Sequence, residues 1–379
     1  MTDLPNSWEI KRLDEIADIV MGQSPPGSSY NEHGEGRPFF QGKTEFGEVH
    51  PTVRKYTTAG TKFAKAGDIL MSVRAPVGPT NIADIDCVIG RGLAAIRAKT
   101  VVSQDYLRWS LKHLEIDIQS KGTGTTFDAI TGETLRGTLI ALPPIPEQQK
   151  IVDKLEDHLS RLDAALADIK QAKLKADQFR RSLLQAAFNA KFSDDPNGVR
   201  DVTFDKVFQV GKTAGKSVKQ KEYLSEGKFP VIDQGDEFIS GYSNDTSLLL
   251  DFKAPVVIFG DHTRRLKYIN FPFIPGADGT KVLIPDPVLN PKFAYYQLLS
   301  KELRDRGYAR HFSELRKELF WVPPHGRQFQ IVEVIEEQLS RLNAAVAIAH
   351  EMEKQSSSLR RSVLHSAFTG QLTKEVSSV

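Results

Sequence analysis

An ungapped internal repeat is the feature that most constrains the fold of this chain. Residues 143–188 and 323–368 align at a constant offset of 180, and 16 of the 38 positions from 151 to 188 are identical in the second copy. Each copy is helical in pattern and follows a Pro-Pro pair. The repeat predicts two half-molecules, each a globular segment followed by a long helix. Such a pseudo-twofold protein suits a target that also comes in two halves.

The apolar residues of both copies recur at alternating spacings of three and four, which is typical of a coiled-coil seam. The first helix is predicted from about Pro146 to about Ala190. Because so long a helix cannot bury its apolar stripe alone, we expect the two copies to pair as an antiparallel intramolecular coiled coil. The predicted interface residues are Ile151, Leu155, Leu159, Leu162, Leu166, Ile331, Ile335, Leu339, Leu342 and Val346.

The globular segments are rich in glycine, proline and β-forming residues. Short apolar runs closed by turn residues predict strands within 68–78, 88–98 and 255–260. Amphipathic helices are predicted over 106–114 and 293–303. The openings correspond at an offset of 191, with Leu13, Ile16 and Ile19 matching Phe204, Val207 and Val210, each set followed by a glycine.

These patterns predict an α+β protein with two β-rich α/β domains, separated and followed by the two long helices. The predicted segments are domain 1 (1–143), the first helix (144–192), domain 2 (193–322) and the second helix (323–379). The middles of the two domains differ in sequence, which indicates two binding domains with different specificities.

Composition excludes several classes of protein. A net charge of +2 argues against a uniformly basic nucleic-acid binder, although the 50 Lys and Arg residues leave room for local basic patches. The single cysteine, Cys87, excludes an intramolecular disulfide and a multi-cysteine zinc site, and indicates a reducing compartment. The N-terminus has no apolar signal region and no run approaches 18 apolar residues, so we expect a cytoplasmic protein with no membrane span.

Known catalytic motifs are not found in the sequence. The stretches 41–47 and 210–217 contain Gly-Lys-Thr or Gly-Lys-Ser, but Arg37 and Val210 stand where a phosphate-binding loop needs its first glycine. The Pro-Pro pairs are followed by residues that do not fit the base-holding motif of a nucleobase methyltransferase. We therefore predict a protein without catalytic residues and without a metal site.

Basic and polar loops on the β-rich domains are the remaining candidates for a binding surface, because Lys and Arg neutralise phosphates and read base edges. For any single residue, a solvated surface is the alternative. The loop 261–267 is the most specific, since it follows a buried strand and carries four potential cations. The predicted DNA-binding residues are Lys43, Arg54, Lys55, Arg74, Lys121, Thr123, Thr125, Lys212, Lys216, Lys219, His262, Arg264, Arg265, Lys267 and Arg310. The late helix residues Arg180, Arg181, Arg360 and Arg361 are predicted to cap carbonyls or to form salt bridges between the helices.

This arrangement resembles the specificity subunit of type I restriction–modification systems. The resemblance covers essentially the whole chain and is carried by LPPIPEQQKIV at 142–152, the LSRL-x-AA and RRS-x-L-x-x-AF repeats, GDIL at 67–70 and IPGADGTKVL at 274–283. The second junction departs from the pattern, with Gly326 and Arg327 in place of Pro146 and Glu147, but it keeps Gln328. A weaker start of the second helix is therefore expected.

The resemblance implies a non-catalytic subunit that binds double-stranded DNA. Two target recognition domains would each read one half of a bipartite sequence, and the paired helices would fix the spacer between the halves. Two adenine methyltransferase subunits, and endonuclease/translocase subunits, would assemble on the chain. The cofactors S-adenosylmethionine, ATP and Mg would belong to those partners, with none bound by this chain. The target bases and the spacer length do not follow from the sequence.

Three other classes of protein are alternatives to a specificity subunit. A two-domain DNA-binding adaptor or regulator without a methyltransferase partner is the main alternative, and its oligomeric state and copurifying partners would distinguish it. A stand-alone modification enzyme or nuclease would need the motifs that the sequence lacks. A purely structural coiled-coil scaffold does not explain two large β-rich segments with divergent loops.

Overall fold

The fold is given by a computed structural model that describes residues 4–122, 129–188, 199–213, 215–276, 279–304, 307 and 309–373. The chain divides into two compact units: unit 1 is Met1–Asp168 with Met352–Val379, and unit 2 is Ile169–Glu351. Each unit therefore combines one globular domain, part of the long helix that follows it and part of the other long helix. The linear domain boundaries given above remain a prediction.

Unit 1 holds the first β-rich domain. Its strands are β1 (Glu9–Arg12), β2 (Ala17–Met21), β3 (Tyr30–Asn31), β4 (Arg37–Phe40), β5 (Lys55–Thr57), β6 (Phe63–Ala64), β7 (Ile69–Ser72), β8 (Thr80–Ile82), β9 (Cys87–Ile89), β10 (Leu93–Ala98) and β11 (Leu139–Leu142). Its helices are α1 (Leu13–Ile16), α2 (Gln104–His113), α3 (Glu115–Ser120), α4 (Gly132–Arg136) and the start of α5 (Ile145–Phe188). The strands pair as β1-β11, β2-β10-β7-β8 and β3-β5-β4-β9-β6, with β4 parallel to β9.

Unit 2 repeats this plan with fewer strands. Its strands are β12 (Val199–Thr203), β13 (Phe208–Val210), β14 (Phe229–Ile232), β15 (Gly241–Ser243), β16 (Val256–Gly260), β17 (Leu266–Ile269), β18 (Ile274–Pro275), β19 (Thr280–Pro285) and β20 (Leu319–Val322). Its helices are α6 (Phe204–Val207), α7 (Pro291–Leu299), α8 (Phe312–Leu315) and the start of α9 (His325–Phe368). The sheets are β12-β20, β13-β19-β16-β17 and β15-β14-β18, with β14 parallel to β18.

The two domains open in the same way, as their sequences predicted. In each, a one-turn helix (α1 or α6) separates the strand of the two-stranded sheet from the edge strand of the four-stranded sheet. The glycine that follows then bonds across the sheet: the Gly22 N–H donates to the Leu93 carbonyl at 2.9 Å, and Gly211 donates to Val282 at 2.8 Å. A Cβ on Gly22 would lie 2.1 Å from the Gly90 carbonyl oxygen, so the close approach of these two segments requires glycine there.

In unit 1, the start of α5 packs on its own domain and on the end of α9. Ile151, Leu155 and Leu159 are buried together with Leu364 and Phe368 in one apolar cluster, whose domain members include Leu13, Ile16, Tyr106, Leu107 and Leu111. The Tyr106 ring meets Phe368 edge-on at 5.3 Å between centroids. Further along α5, Leu162 and Leu166 are only half-buried. The interface between the two long helices is therefore most completely buried where the helices also contact the domain.

Unit 2 contains the equivalent contacts with the helices exchanged. Ile331 and Ile335 of α9 are buried beside Leu184 and Ala187 of α5, and Phe293 of the domain meets Phe188 edge-on at 5.2 Å. Leu339, Leu342 and Val346 are half-buried. In both units, residues early in one long helix lie beside residues late in the other. This confirms the predicted antiparallel pairing.

A buried glutamine fixes the first turn of each long helix to its domain. Gln148 has no exposed surface; its Nε2 donates to the carbonyls of Pro143 (2.8 Å) and Val101 (3.2 Å), and its Oε1 accepts from the Ser103 N–H at 2.8 Å. Gln328 makes the same three bonds, donating to Pro323 and Val288 and accepting from the Asn290 N–H. Ser103 and Asn290 are themselves the N-caps of α2 and α7, so each glutamine joins two helix starts.

Of the four arginines late on the long helices, Arg360 forms the predicted salt bridge between the helices, whereas Arg180 bonds to an amide of the other helix. In unit 1 Arg360 pairs with Asp163, and in unit 2 Arg180 donates to the Asn343 side chain at 2.8 Å. The two contacts lie at equivalent positions of the repeat, but only the first is ionic.

Replacing Asp163 with Asn makes the contact in unit 1 a copy of the one in unit 2. Because both groups are partly exposed, we expect the free energy of unfolding to fall by about 1 kcal/mol or less at low salt, and the difference to vanish at high salt. Urea unfolding of Asp163→Asn and the wild type at two ionic strengths measures this. A loss of several kcal/mol that persists in salt would show that the pair is not a surface interaction.

His113 lies where the end of α2 meets the end of α9 in unit 1. Its ring stacks on Phe368 at 5.3 Å between centroids and lies 5.8 Å from the His365 ring. Burial, and then the neighbouring His365, lower the pKa of His113 below its ordinary value, while Asp117 opposes this shift. The neutral ring is therefore the form that fits the folded state.

This lowered pKa predicts acid sensitivity. As pH falls below about 6.5, His113 of the unfolded chain takes up a proton that the folded chain resists, so stability falls until the folded pKa is reached. We expect His113→Gln to flatten the decrease in unfolding free energy between pH 7.5 and 5.5. Equal pH dependence in the His113 variant and the wild type would contradict the assignment.

Among the described residues, none of the helices combines the length and the apolar composition needed to cross a membrane.

Candidate nucleic-acid interface

A cleft of about 500 Å³ in the first domain brings together three cations from separate loops. Lys43 lies in a 3-10 turn after β4, Arg74 follows β7, and Arg91 lies between β9 and β10. All three are exposed at its walls. The complete lining is Gln41, Gly42, Lys43, Thr44, Glu45, Ser72, Arg74, Ala75, Pro76, Arg91 and Gly92. An open cleft with three positive groups is suited to phosphates and to base edges.

Short hydrogen bonds hold the three loops in register. The Gly90 N–H donates to the Phe40 carbonyl at 2.8 Å, and the Val73 N–H donates to the Gly92 carbonyl at 2.9 Å. A Cβ on Gly92 would lie 2.4 Å from the Gln41 carbonyl oxygen, so this turn passes as close to the neighbouring loop as glycine allows. The loops are therefore placed by the sheet rather than by a ligand.

One carboxylate in the cleft accepts a hydrogen bond from the protein itself. The Glu45 carboxylate accepts a hydrogen bond from the Gly42 N–H at 3.0 Å, which closes the 3-10 turn that carries Lys43. Ser72 likewise turns inward, donating from its hydroxyl to the Arg74 carbonyl at 2.9 Å. These contacts orient the two loops and leave the cationic side chains as the groups that face solvent.

Among the predicted residues of domain 1 that the structure describes, two line the cleft. Lys43 and Arg74 share the cleft, whereas Arg54 and Lys55 are exposed on and beside β5 and do not line it. Lys121 is exposed at the end of α3, and Thr123 and Thr125 lie outside the described residues. Arg91 was not predicted from the sequence. The feature that could have indicated it is the Gly-Arg-Gly turn between two fully apolar runs, which places an arginine on a tight connection between buried strands.

The second domain has the same loop framework. The Gly276 N–H donates to the Ile232 carbonyl at 2.8 Å, as Gly90 does to Phe40, and the Asp261 N–H donates to the Gly279 carbonyl at 2.7 Å. The buried Asp261 also anchors α8, since its carboxylate accepts from the Phe312 N–H at 2.8 Å and its carbonyl accepts from the His311 N–H at 2.8 Å. The loop 261–267 is therefore a rigid part of the domain.

One residue of that loop differs from the prediction. Lys267 is only 5% exposed; its ammonium donates to the Glu237 carbonyl at 2.5 Å and lies 3.8 Å from Asp233. Burial lowers the pKa of Lys267. Because its alternation in β17 turns the side chain inward, Lys267 holds the loop together and does not present a cation to DNA.

The other residues predicted for domain 2 are more exposed than Lys267. Arg264 is half-buried, with φ of 59°, and its guanidinium donates to the Leu303 carbonyl at 3.1 Å. Arg265 is exposed and pairs with the exposed Asp236 at 2.6 Å, a contact that a phosphate can replace at little cost. His262 is half-buried. Lys212, Lys216, Lys219 and Arg310 are exposed, and the Lys216 ammonium donates to the Leu249 carbonyl at 3.3 Å.

Comparison with known protein families agrees with this geometry. Residues 5–175 match the family model described as the type I restriction modification DNA specificity domain. This part of the chain is therefore similar to the DNA specificity domain of type I restriction–modification systems. The first domain and the start of α5 together make up the matched domain.

Individual relatives match over parts of the chain. A specificity subunit of type I restriction enzyme MjaX from Methanocaldococcus jannaschii is 44% identical over 157 residues, 41% of this chain and 37% of that protein. The EcoDI specificity subunit from Escherichia coli is 22% identical over 196 residues, 51% of this chain and 44% of that protein. The chain thus spans less than half the length of these relatives.

Solved structures with similarity are also specificity subunits. The HsdS subunit from Thermoanaerobacter tengcongensis is 46% identical, with 43% of this chain and 40% of that chain covered and a TM-score of 0.40. The S subunit of the type I system from M. genitalium is 16% identical, with 97% of both chains covered and a TM-score of 0.42.

Proposed function

We propose that this chain is the non-catalytic subunit that gives a type I restriction–modification complex its DNA sequence specificity. The observation that carries the proposal is the DNA specificity domain at residues 5–175, whose loops form a cleft with Lys43, Arg74 and Arg91. The second domain, with its matching loop framework, would read the second half of a bipartite double-stranded target. The long helices would then set the number of unread base pairs between the two halves, as half-sites read from one face must match the helical repeat of DNA.

The helices also offer a surface for the proposed partner subunits. In unit 2, Ala172, Ala176 and Phe179 of α5 and Leu342 and Val346 of α9 line an apolar groove of about 330 Å³. Leu174 and Ile348 are more than half exposed on the same stretch of the two helices. Solvent-facing apolar residues at this density are typical of an interaction surface. A methyltransferase subunit is the proposed occupant, with a second copy on the repeated segment and with endonuclease/translocase subunits joining them.

The cofactors of the complex would be bound by these partners. S-adenosylmethionine would be used by the methyltransferase subunits, and ATP and Mg by the endonuclease/translocase subunits. This chain would contribute positioning: it would hold each methyltransferase beside the half-site that contains the adenine to be modified. Its effect on the reaction would then be the orientation of substrate and enzyme rather than any bond-making step.

Copurification from cells that carry the whole system tests this proposal. We expect the tagged chain to bring down methyltransferase chains, and the purified complex to transfer labelled methyl groups to DNA. Phe179→Asp, which places a charge in the groove, should abolish the association, whereas Gln178→Asp on the neighbouring surface should not. A chain that binds DNA but brings down no methyltransferase would instead be an adaptor or regulator.

A further inference from the structure

Gln234 occupies, in the second domain, the place where the first domain has its cationic cleft. It follows β14 by two residues, just beyond the Ile232 carbonyl that accepts the Gly276 N–H. Gln41 and Gly42 follow β4 at the matching point of the first domain and line the cleft there. The same backbone framework therefore presents different side chains in the two domains.

Backbone contacts fix the direction of the Gln234 amide. The His262 N–H donates to the side-chain Oε1 of Gln234 at 3.1 Å, and the Thr263 hydroxyl donates to the main-chain carbonyl of Gln234 at 2.6 Å. This bond directs the amide oxygen towards the His262 main chain and leaves the amide nitrogen to make other contacts. Within the described ranges, Gln234 Nε2 donates no hydrogen bond, although the residue is only half-buried. Its two N–H donors are thus available to an acceptor.

Two glycines make room for this side chain. A Cβ on Gly279, whose φ is 70°, would lie between 2.6 and 2.8 Å from the Gln234 amide atoms. A Cβ on Gly260 would lie 2.9 Å from the Cβ of Gln234. The end of β16 and the turn before β19 therefore lack side chains where they pass the glutamine, and its amide stays half-exposed at the end of the sheet.

The preceding residue makes the segment rigid. The Asp233 carboxylate accepts from the Gly235 N–H at 2.8 Å, from the Ser240 hydroxyl at 2.5 Å and from the Tyr223 hydroxyl at 3.2 Å. The buried Lys267 ammonium lies 3.8 Å from the same carboxylate. With this network in place, the Gln234 amide is ordered before any ligand arrives, which lowers the entropy cost of binding.

We infer that Gln234 is a specificity-determining residue of the second domain, where its amide reads the edge of one base pair in the DNA major groove. The inference rests on the proposed function. A glutamine amide pairs best with adenine, donating to N7 and accepting from the N6 amino group. Oε1 keeps a second lone pair for that amino group after it has accepted the His262 N–H.

Modified-base sequencing of cells that carry the complete system tests the inference with three variants. Gln234→Glu keeps an oxygen for the His262 N–H but replaces the amide donor with an acceptor, which favours the cytosine amino group. Gln234→Ala removes the reading group altogether. Gln209→Glu makes the same chemical change on β13, where Gln209 pairs with Ile284 at the far end of the sheet from Gly260 and Thr280, and serves as the control.

We expect both Gln234 variants to lower the preference for adenine at one position of one half-site by roughly 10- to 100-fold. The other half-site and the spacer should stay as in the wild type, and Gln209→Glu should leave the whole motif unchanged. An unchanged motif in both Gln234 variants would overturn the inference, as would a change in the other half-site or a complete loss of methylation by the Ala variant. A wild-type chain that yields no two-part motif would overturn the proposed function itself.

Discussion

Replacing Lys43, Arg74 and Arg91 together with Ala should lower the affinity of the assembled complex for its DNA target by roughly 100-fold. The three side chains are the cations of the cleft in the first domain, and each loss removes a charge-assisted contact of about 1 kcal/mol when partly solvated. Removal of three phosphate contacts should also make the salt dependence shallower, by about 2 to 3 in the slope of log K against log salt.

A matched triple variant separates this effect from a general loss of positive charge. Lys11, Lys65 and Lys112 belong to the same domain and do not line the cleft. Their replacement with Ala removes the same net charge, and we expect a loss of affinity of less than about fivefold because surface charges outside the DNA contact act only through long-range attraction. Titrations of labelled target DNA at several salt concentrations measure both quantities. Equal losses for the two triples would show that the cleft is not the DNA-binding surface.

Gln148→Leu should destabilise unit 1 by about 3 kcal/mol. Leucine fills a similar volume but leaves the Ser103 N–H and the Pro143 and Val101 carbonyls without their partner around a side chain that has no exposed surface. Each buried polar group that loses its bond costs about 1–3 kcal/mol, and partial relaxation keeps the sum near the lower end. For a unit of this size the midpoint of thermal unfolding should fall by roughly 6 to 12 °C.

The neighbouring glutamine provides the control. Gln149 is exposed and bonds only to Asp153, at 2.8 Å, so Gln149→Leu should change the unfolding free energy by about 0.5 kcal/mol or less. Urea or thermal unfolding followed by circular dichroism compares the two variants directly. If both shifted the midpoint equally, the buried glutamine would have no special part in joining the helix to its domain.

The long helices and their pairing could be predicted from the sequence because they rest on local information. A repeat with apolar residues at three- and four-residue spacing fixes the helices, and an intervening globular segment lets them run antiparallel. The seam itself was only partly predictable. Ile151 and Ile335 are buried because the domains cover them, whereas Leu166 and Val346 remain half-exposed, and no periodicity encodes that difference.

The candidate site was harder to predict, because it depends on where loops from distant parts of the chain meet. Lys267 belongs to a basic run, yet the alternation of β17 turns it into the domain. Arg91 and Gln234 stand alone in their local sequences, and only the pairing of β4 with β9 and of β14 with β18 brings their loops to the site. The glycines at 90, 92, 276 and 279 were the available signal, since they mark where two loops pass at close range.

Modified-base sequencing of genomic DNA, from cells with and without this gene, is the most direct test of whether this chain sets the DNA sequence that the complex methylates. Both strains would carry the methyltransferase partner. We expect a motif of two half-sites separated by a fixed spacer, with N6-methyladenine in each half, that disappears when the gene is deleted. Identical methylation in the two strains, while the system is expressed, would contradict it.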